Sequence, residues 1–199
     1  MRLLLVRHGQ SEWNATHRLQ GQADIALSDA GEAQAHALRP VIDEIGPCRV
    51  IASDLKRVQE TAARISDATP SFTPNLREID VGDWTGQTIA DIRDADEAAY
   101  QGWRAGTATP PGGEPWDDFA DRVASVIQSE TSNPCKNLLV VCHGGVIRAI
   151  LHRFLGLTPD RIIPVAPASL TAIRLLGNKP ERLELFNHRP GTLDFKAPD

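Results

Sequence analysis

The chain has 199 residues, 41% of them hydrophobic and 24% charged, which suits a single domain with a full-sized core. Its formal net charge of −5 excludes a general attraction to nucleic acid or to an anionic membrane surface, so any anion site has to be local. No apolar run approaches the roughly 20 residues of a membrane span, and the N-terminal apolar stretch is too short for a signal peptide.

Cys48, Cys135 and Cys142 are odd in number and lack CxxC spacing. They argue for a reducing, cytoplasmic compartment rather than a disulfide framework. No repeat or low-complexity segment divides residues 1–199.

Leu3 to Val6 is an uninterrupted apolar run, the signature of a strand buried on both faces of a parallel sheet. It runs into Arg7, His8 and Gly9, where ligands bind in open α/β sheets. Gln10 to Asp24 is polar and aperiodic and reads as a loop over that site. Asn14, His17, Arg18, Gln20 and Gly21 are its candidate contacts.

Ser28 reads as the N-cap of a helix whose apolar positions run to Ile45, with Pro40 expected to kink or split it and Gly46-Pro47 to end it. Arg49 to Ser53 reads as a second strand, and Asp54 as the cap of the helix after it. That helix carries Arg57 in its first turn. A cation is locally unfavourable there, so Arg57 is expected to answer an anion. Thr69 to Asn75 reads as a loop. Residues 76–86 are irregular and acidic, and spacing alone leaves Glu78, Asp80 and Asp83 equally open as a general acid. Thr88 and Asp91 form a capping box. Residues 106–115 are a long Pro/Gly loop that reads as a lid or a connector.

Trp116, Phe119, Val123 and Ile127 mark an amphipathic helix. Leu138 to Cys142 then repeats the logic of the first strand and ends in His143-Gly144-Gly145. A helix follows, stopped at Gly156. Leu170–Leu176 and Arg182–Phe186 read as a hairpin joined through residues 177–181, adding antiparallel strands. The tail from His188 is Pro- and Gly-rich and reads as loosely ordered. Trp84, Trp103 and Trp116 read as core residues, with a pocket wall as the alternative.

The gathered set is Arg7, His8, Arg57 and His143 with an acid near position 80. Arginine forks suit phosphate oxygens. Arg7 beside His8 would repel a metal cation, and no HxxxH, HExxH or CxxC spacing calls for one. There is no P-loop and no GxSxG. A histidine flanked by cations stays neutral and nucleophilic, and can attack phosphorus to give a phosphohistidine. A carboxyl group beside a phosphate dianion is held protonated and can serve the leaving alkoxide.

With these residues in view, the chain resembles the histidine phosphatase superfamily, the phosphoglycerate-mutase-like fold. The resemblance rests on Arg7-His8-Gly9 and the run Gln10-Ser11-Glu12-Trp13-Asn14. It extends to Ser53, Leu55, Arg57, Thr61 and Ala62, to Leu76, Glu78, Gly82, Trp84 and Gly86, and to His143-Gly144-Gly145. It implies a three-layer α/β/α fold around a mostly parallel sheet with antiparallel strands near the C-terminus.

The resemblance also implies a metal-independent phosphomonoesterase without cofactor. His8 is then the nucleophile and Glu78 the proton donor. Arg7, Arg57 and His143 bind the phosphoryl group, with Asn14, Gln20, Gly21 and Gly144 around it. The segment Arg-Glu-Ile-Asp-Val-Gly departs from the Asn-Glu-Arg-His-Tyr-Gly of true phosphoglycerate mutases and favours the small phosphatase branch. The expected partner is a small phosphorylated metabolite. The alternatives are a bisphosphoglycerate-dependent mutase and a non-catalytic module that binds phospho-ligands. Nothing in the pattern specifies an oligomeric state.

Overall fold

The computed structural model describes residues 1–177 and 179–191. Strand β1 (Arg2–Arg7) is followed by the single turn α1 (Glu12–Ala15), helix α2 (Asp29–Ile45), β2 (Arg49–Ser53), α3 (Lys56–Ile65) and β3 (Ser71–Thr73). Then come α4 (Ile89–Ala105), α5 (Trp116–Thr131), β4 (Asn137–Cys142), α6 (Gly144–Leu155), β5 (Leu170–Arg174) and β6 (Arg182–His188). The sheet order is β3-β2-β4-β1-β5-β6. β1 to β4 pair in parallel, and β5 and β6 join antiparallel.

Alternation along the strands explains the three layers. Leu3 and Leu5 of β1 pack with Leu138 and Val140 of β4 toward α5 and α6. Leu4 and Val6 pack with Leu139 and Val141 toward α2 and α3. Both faces are therefore apolar, which is why these strands read as continuous hydrophobic runs. The chain leaves β1 toward one layer and β4 toward the other, although the two strands are neighbours. Such a reversal opens a crevice at the carboxyl ends of the strands.

Several local expectations are corrected. Pro40 does not split α2, which runs to Ile45 and ends at Gly46 as read. Pro40 and His36 are both exposed, so water can take up the carbonyl that a proline leaves free one turn back. Asp54 does not cap α3, because Arg77 grips its carboxylate through two hydrogen bonds of 2.8 and 2.6 Å. The Asp24 side chain caps that helix instead, accepting the Lys56 amide at 2.6 Å. Residues 69–75 contain the short edge strand β3, paired with β2. The 10–24 loop contains α1, where Ser11 and Asn14 cap one another. β6 extends to His188, whereas Asn178 of the hairpin turn and the tail 192–199 lie outside the described residues.

Candidate active site

Register brings the two strand-end histidines together. Arg7 lies opposite Cys142, so His8 and His143 leave adjacent strands side by side with ring centroids 5.2 Å apart. The His8 backbone is held by its N–H to the Cys142 carbonyl (2.9 Å) and by the Ala168 N–H on its own carbonyl (3.0 Å). Gly9 then lies against the first turn of α2. A Cβ there would sit 2.3 Å from the Gly31 carbonyl oxygen, so only glycine allows the turn.

The His8 ring is oriented at both nitrogens. Nδ1 lies 2.6 Å from the Gly9 carbonyl oxygen, which only accepts, so Nδ1 carries the proton. Nε2 accepts from Arg57 Nε–H at 3.3 Å and keeps its lone pair. Burial, then Arg57, then Arg7 hold the His8 pKa well below the ordinary value. The ring is a neutral Nδ1–H tautomer with a basic nitrogen facing the site.

Arg57 is almost completely buried and pairs with no carboxylate among the described residues. Its other guanidinium hydrogens go to the backbone carbonyls of Ala23 (2.7 Å) and Gly21 (2.9 Å). Burial lowers its pKa to about 10, so it stays cationic near neutrality. Arg7 donates through Nη1 to the Val165 carbonyl, and its buried Nε has no partner. The His143 Nε2 lies 3.0 Å from the Ser53 hydroxyl, while its buried Nδ1 is unpartnered. Burial, followed by Arg57, lowers the His143 pKa well below the ordinary value. Buried polar groups without partners are rare in folded proteins, and two of them beside a buried cation mark the place of an anion.

The three candidate acids separate in space. Glu78 lines the cleft; Asp80 and Asp83 do not. Asp80 accepts the Gly82 amide at 2.9 Å, and Asp83 is exposed. The Glu78 carboxylate accepts the amides of Ile79 and of Gly145, each at 3.0 Å. Gly145 is the second residue of α6, so the carboxylate rests on a free helix N-terminus. A Cβ at Gly145 would lie 2.2 Å from Glu78 Oε1. Glu78 shares its segment with the 106–115 loop, since Arg122 bonds Glu114 and the carbonyls of Asn75 and Arg77.

Arg7, His8, Arg57 and Glu78 line a cleft of about 260 Å³, and His143 lies fully buried against His8. Asn14, Gln20, Gly21 and Gly144 line the cleft too. Asn14 Oδ1 is taken by Ser11, which leaves its amide hydrogens for a ligand. Gln20 accepts from the Ser11 hydroxyl at 2.8 Å, and Gly21 holds Arg57 through its carbonyl.

Residues 3–188 match the histidine phosphatase superfamily (branch 1). The chain belongs to this superfamily. It is 37% identical over 171 residues to a glucosyl-3-phosphoglycerate phosphatase of Mycolicibacterium vanbaalenii, covering 80% of this chain and 76% of the relative. It is 33% identical over 161 residues to an adenosylcobalamin/α-ribazole phosphatase of Salmonella typhimurium, covering 78% and 80%. A solved mycobacterial glucosyl-3-phosphoglycerate phosphatase in complex with VO3 superposes with a TM-score of 0.86 at 32% identity, covering 94% of this chain and 98% of that one. This histidine phosphatase is thus a phosphomonoester hydrolase of the phosphoglycerate-mutase-like fold, with close relatives that act on small phosphorylated metabolites.

Two charged cleft residues, Arg104 and Arg148, escaped the sequence reading. Trp103 and Trp116 form part of the wall, the alternative weighed for them, while Trp116 also belongs to the core and Trp103 packs against it. Arg148 had a signal, since it follows Gly145 by three positions and so shares its helix face. Arg104 had none, because the turn of chain that brings α4 to the cleft is tertiary.

Proposed function

We propose that this phosphatase moves the phosphoryl group of a small phosphomonoester through His8 Nε2. The observation that carries the assignment is the pinned tautomer: Nδ1–H on the Gly9 carbonyl and a neutral Nε2 facing two arginines. In the first step Nε2 attacks phosphorus, the N–P bond forms and the ester P–O bond breaks. Glu78 gives its proton to the leaving oxygen. In the second step Glu78 takes a proton from water, the water oxygen attacks phosphorus and the N–P bond breaks.

The remaining groups stabilise the charge on the transferring phosphoryl group. Arg57 turns its Nε–H from Nε2 to a phosphoryl oxygen. Arg7 Nε and His143 Nδ1 find there the partners they otherwise lack. The Asn14 amide and the free N–H of Gly144 complete the cradle. These fixed cations do the work that a divalent ion does in other phosphoryl-transfer sites, so the reaction proceeds in a chelator.

The test is phosphate release in EDTA from a panel containing p-nitrophenyl phosphate, α-ribazole phosphate and 3-phosphoglycerate, with His8→Ala as control. Turnover that survives EDTA and disappears in the variant is expected. Turnover that needs metal, or that the variant retains, overturns the assignment.

A further inference from the structure

Glu78 is the site residue that regular structure anchors least. Arg7 and Arg57 belong to β1 and α3, and His8 and His143 stand directly at strand ends, whereas Glu78 lies in an irregular stretch between β3 and α4. Its carboxylate is hydrogen-bonded to two backbone amides and, among the described residues, to no side chain. Irregular backbone has no ladder to take up its carbonyls, so other groups have to meet them. Here Arg122, from the middle of α5, does so.

Arg122 holds the segment ahead of Glu78. Its Nη1 donates to the carbonyls of Asn75 (2.8 Å) and Arg77 (3.2 Å). Its Nε and Nη2 grip the two carboxylate oxygens of Glu114 at 2.9 and 2.8 Å. Glu114 returns to the segment just after Glu78. Its Oε2 accepts the Asp80 amide at 3.3 Å, and its own amide donates to the Asp80 carbonyl at 2.9 Å. One ion pair thus holds the backbone on both sides of Glu78.

The clamp has a firm base. The Arg122 guanidinium lies 5.1 Å from the centre of the Phe119 ring, and Phe119 and Val123 are fully buried. Beyond Asp80 the two segments stay in contact, since the Asp83 amide donates to the Pro111 carbonyl at 2.9 Å. A Cβ at Gly82 would lie 2.2 Å from that same carbonyl oxygen. Neither Arg122 nor Glu114 lines the cleft, so their contacts reach the chemistry only through the residue they flank.

We propose that Arg122 and Glu114 are positioning residues that set the Glu78 carboxyl against the leaving oxygen, and so set the activity toward esters of alkyl alcohols. This rests on the reading of Glu78 as the leaving group's acid. The fork matters more than the charge: a planar guanidinium with five donors in fixed directions meets two carbonyls and a carboxylate at once, which a lysine ammonium does not. A misplacement of about 1 Å in a group that must meet the reacting atom costs up to about 10²-fold.

Two substrates test it through kcat/KM, which covers the steps up to P–O cleavage. The alkoxide of glycerol 3-phosphate needs a proton, whereas the phenolate of p-nitrophenyl phosphate leaves unaided. Arg122→Lys should lower kcat/KM by about 10- to 100-fold for glycerol 3-phosphate and by less than about threefold for p-nitrophenyl phosphate. The lysine keeps the positive charge, which is the last of the influences, after burial, Arg57, His8 and Arg7, that lower the His143 pKa. Glu114→Gln should show the same preference with a smaller loss, and decides alone if Arg122→Lys does not fold. In a Glu78→Gln background Arg122→Lys should cost nothing more, because the group it positions is gone.

Equal losses with both substrates, no loss with either, or a further loss in the Glu78→Gln background overturn the positioning role. Glu78→Gln alone separates the two levels. If it slows both substrates equally, or neither, the assignment of Glu78 is wrong. If it spares p-nitrophenyl phosphate while the Arg122 and Glu114 variants show no such preference, the positioning role alone falls.

Discussion

The turns after β1 and β4 look alike in sequence: an apolar strand, a histidine, a glycine. They lie side by side, both histidines are buried, and both have pKa values well below the ordinary one. What separates them is the nitrogen that each neighbourhood engages. At His8 a backbone carbonyl takes Nδ1–H and leaves Nε2 as a lone pair under Arg57. At His143 the Ser53 hydroxyl meets Nε2 and leaves Nδ1 without a partner. A hydroxyl that donates to Nε2 puts the proton on Nδ1, which makes His143 a hydrogen-bond donor to an oxyanion. On the proposed mechanism one motif yields a nucleophile and the other a stabiliser, and the difference comes from the adjacent Gly9 carbonyl at His8 and from Arg57 and Ser53, which are distant in sequence.

The largest expected effect breaks this pair apart. His8→Ala should lower kcat by about 10⁴-fold or more, because no other group forms the covalent bond. His143→Ala should cost about 10²- to 10³-fold, the range of one lost oxyanion donor. Steady-state phosphate release measures both, and equal losses would erase the distinction.

Next comes Gly145→Ala. The new methyl group would meet Glu78 Oε1 and push the carboxylate off the α6 amide. We expect kcat to drop by about 10²-fold, the lower range for a misplaced general acid. A leaving group that needs no protonation, such as p-nitrophenolate, should be affected less than an alkyl phosphate. An equal drop for both would place Glu78 outside proton transfer.

Ser53→Ala sharpens the comparison on the His143 side. It frees Nε2, lets the proton choose either nitrogen and should cut kcat by about tenfold, with a stability loss of about 1 kcal/mol. Replacement by threonine keeps the hydroxyl and should restore most of the activity. Failure of that rescue would show a packing effect.

The smallest effect is a pH dependence. Both histidines remain neutral in the fold, while the unfolded chain protonates them near the ordinary value of 6.5. Below that pH the unfolded state binds protons that the native state refuses, so stability falls. The loss begins at about 6.5 and continues down to the lowered folded values. Its slope approaches about 1.4 kcal/mol per pH unit for each histidine. Urea midpoints at pH 7.5, 6.5 and 5.5 read it, and His143→Gln should flatten the decline by about half. A variant as pH-sensitive as the parent would assign the decline to other groups.

The legibility of the molecule follows the range of its interactions. β1, β4, the capping of α2 by Ser28 and the end of α6 at Gly156 depend on local pattern, and all were readable. The residues gathered by strand ends and helix starts, Arg7, His8 and Arg57 in the cleft and His143 against His8, were readable for the same reason. That Glu78 rather than Asp80 or Asp83 stands in the cleft was not readable from spacing. It depends on the α6 amide that receives Glu78 and on the Gly82 amide that occupies Asp80. Asp24 displaced Asp54 as the cap of α3 because Arg77, also far off in sequence, claimed Asp54. Arg104 entered the cleft through the packing of α4, which no periodicity announces.

The most direct measurement is rapid-quench trapping of the enzyme during turnover of p-nitrophenyl phosphate. Peptide mapping then locates the phosphoryl group, and phosphorus NMR identifies the nitrogen that bears it. The tautomer read from the structure predicts an acid-labile, base-stable phosphohistidine on the peptide containing His8, bonded at Nε2. A phosphoryl group on the His143 peptide, or on Nδ1 of His8, would contradict it.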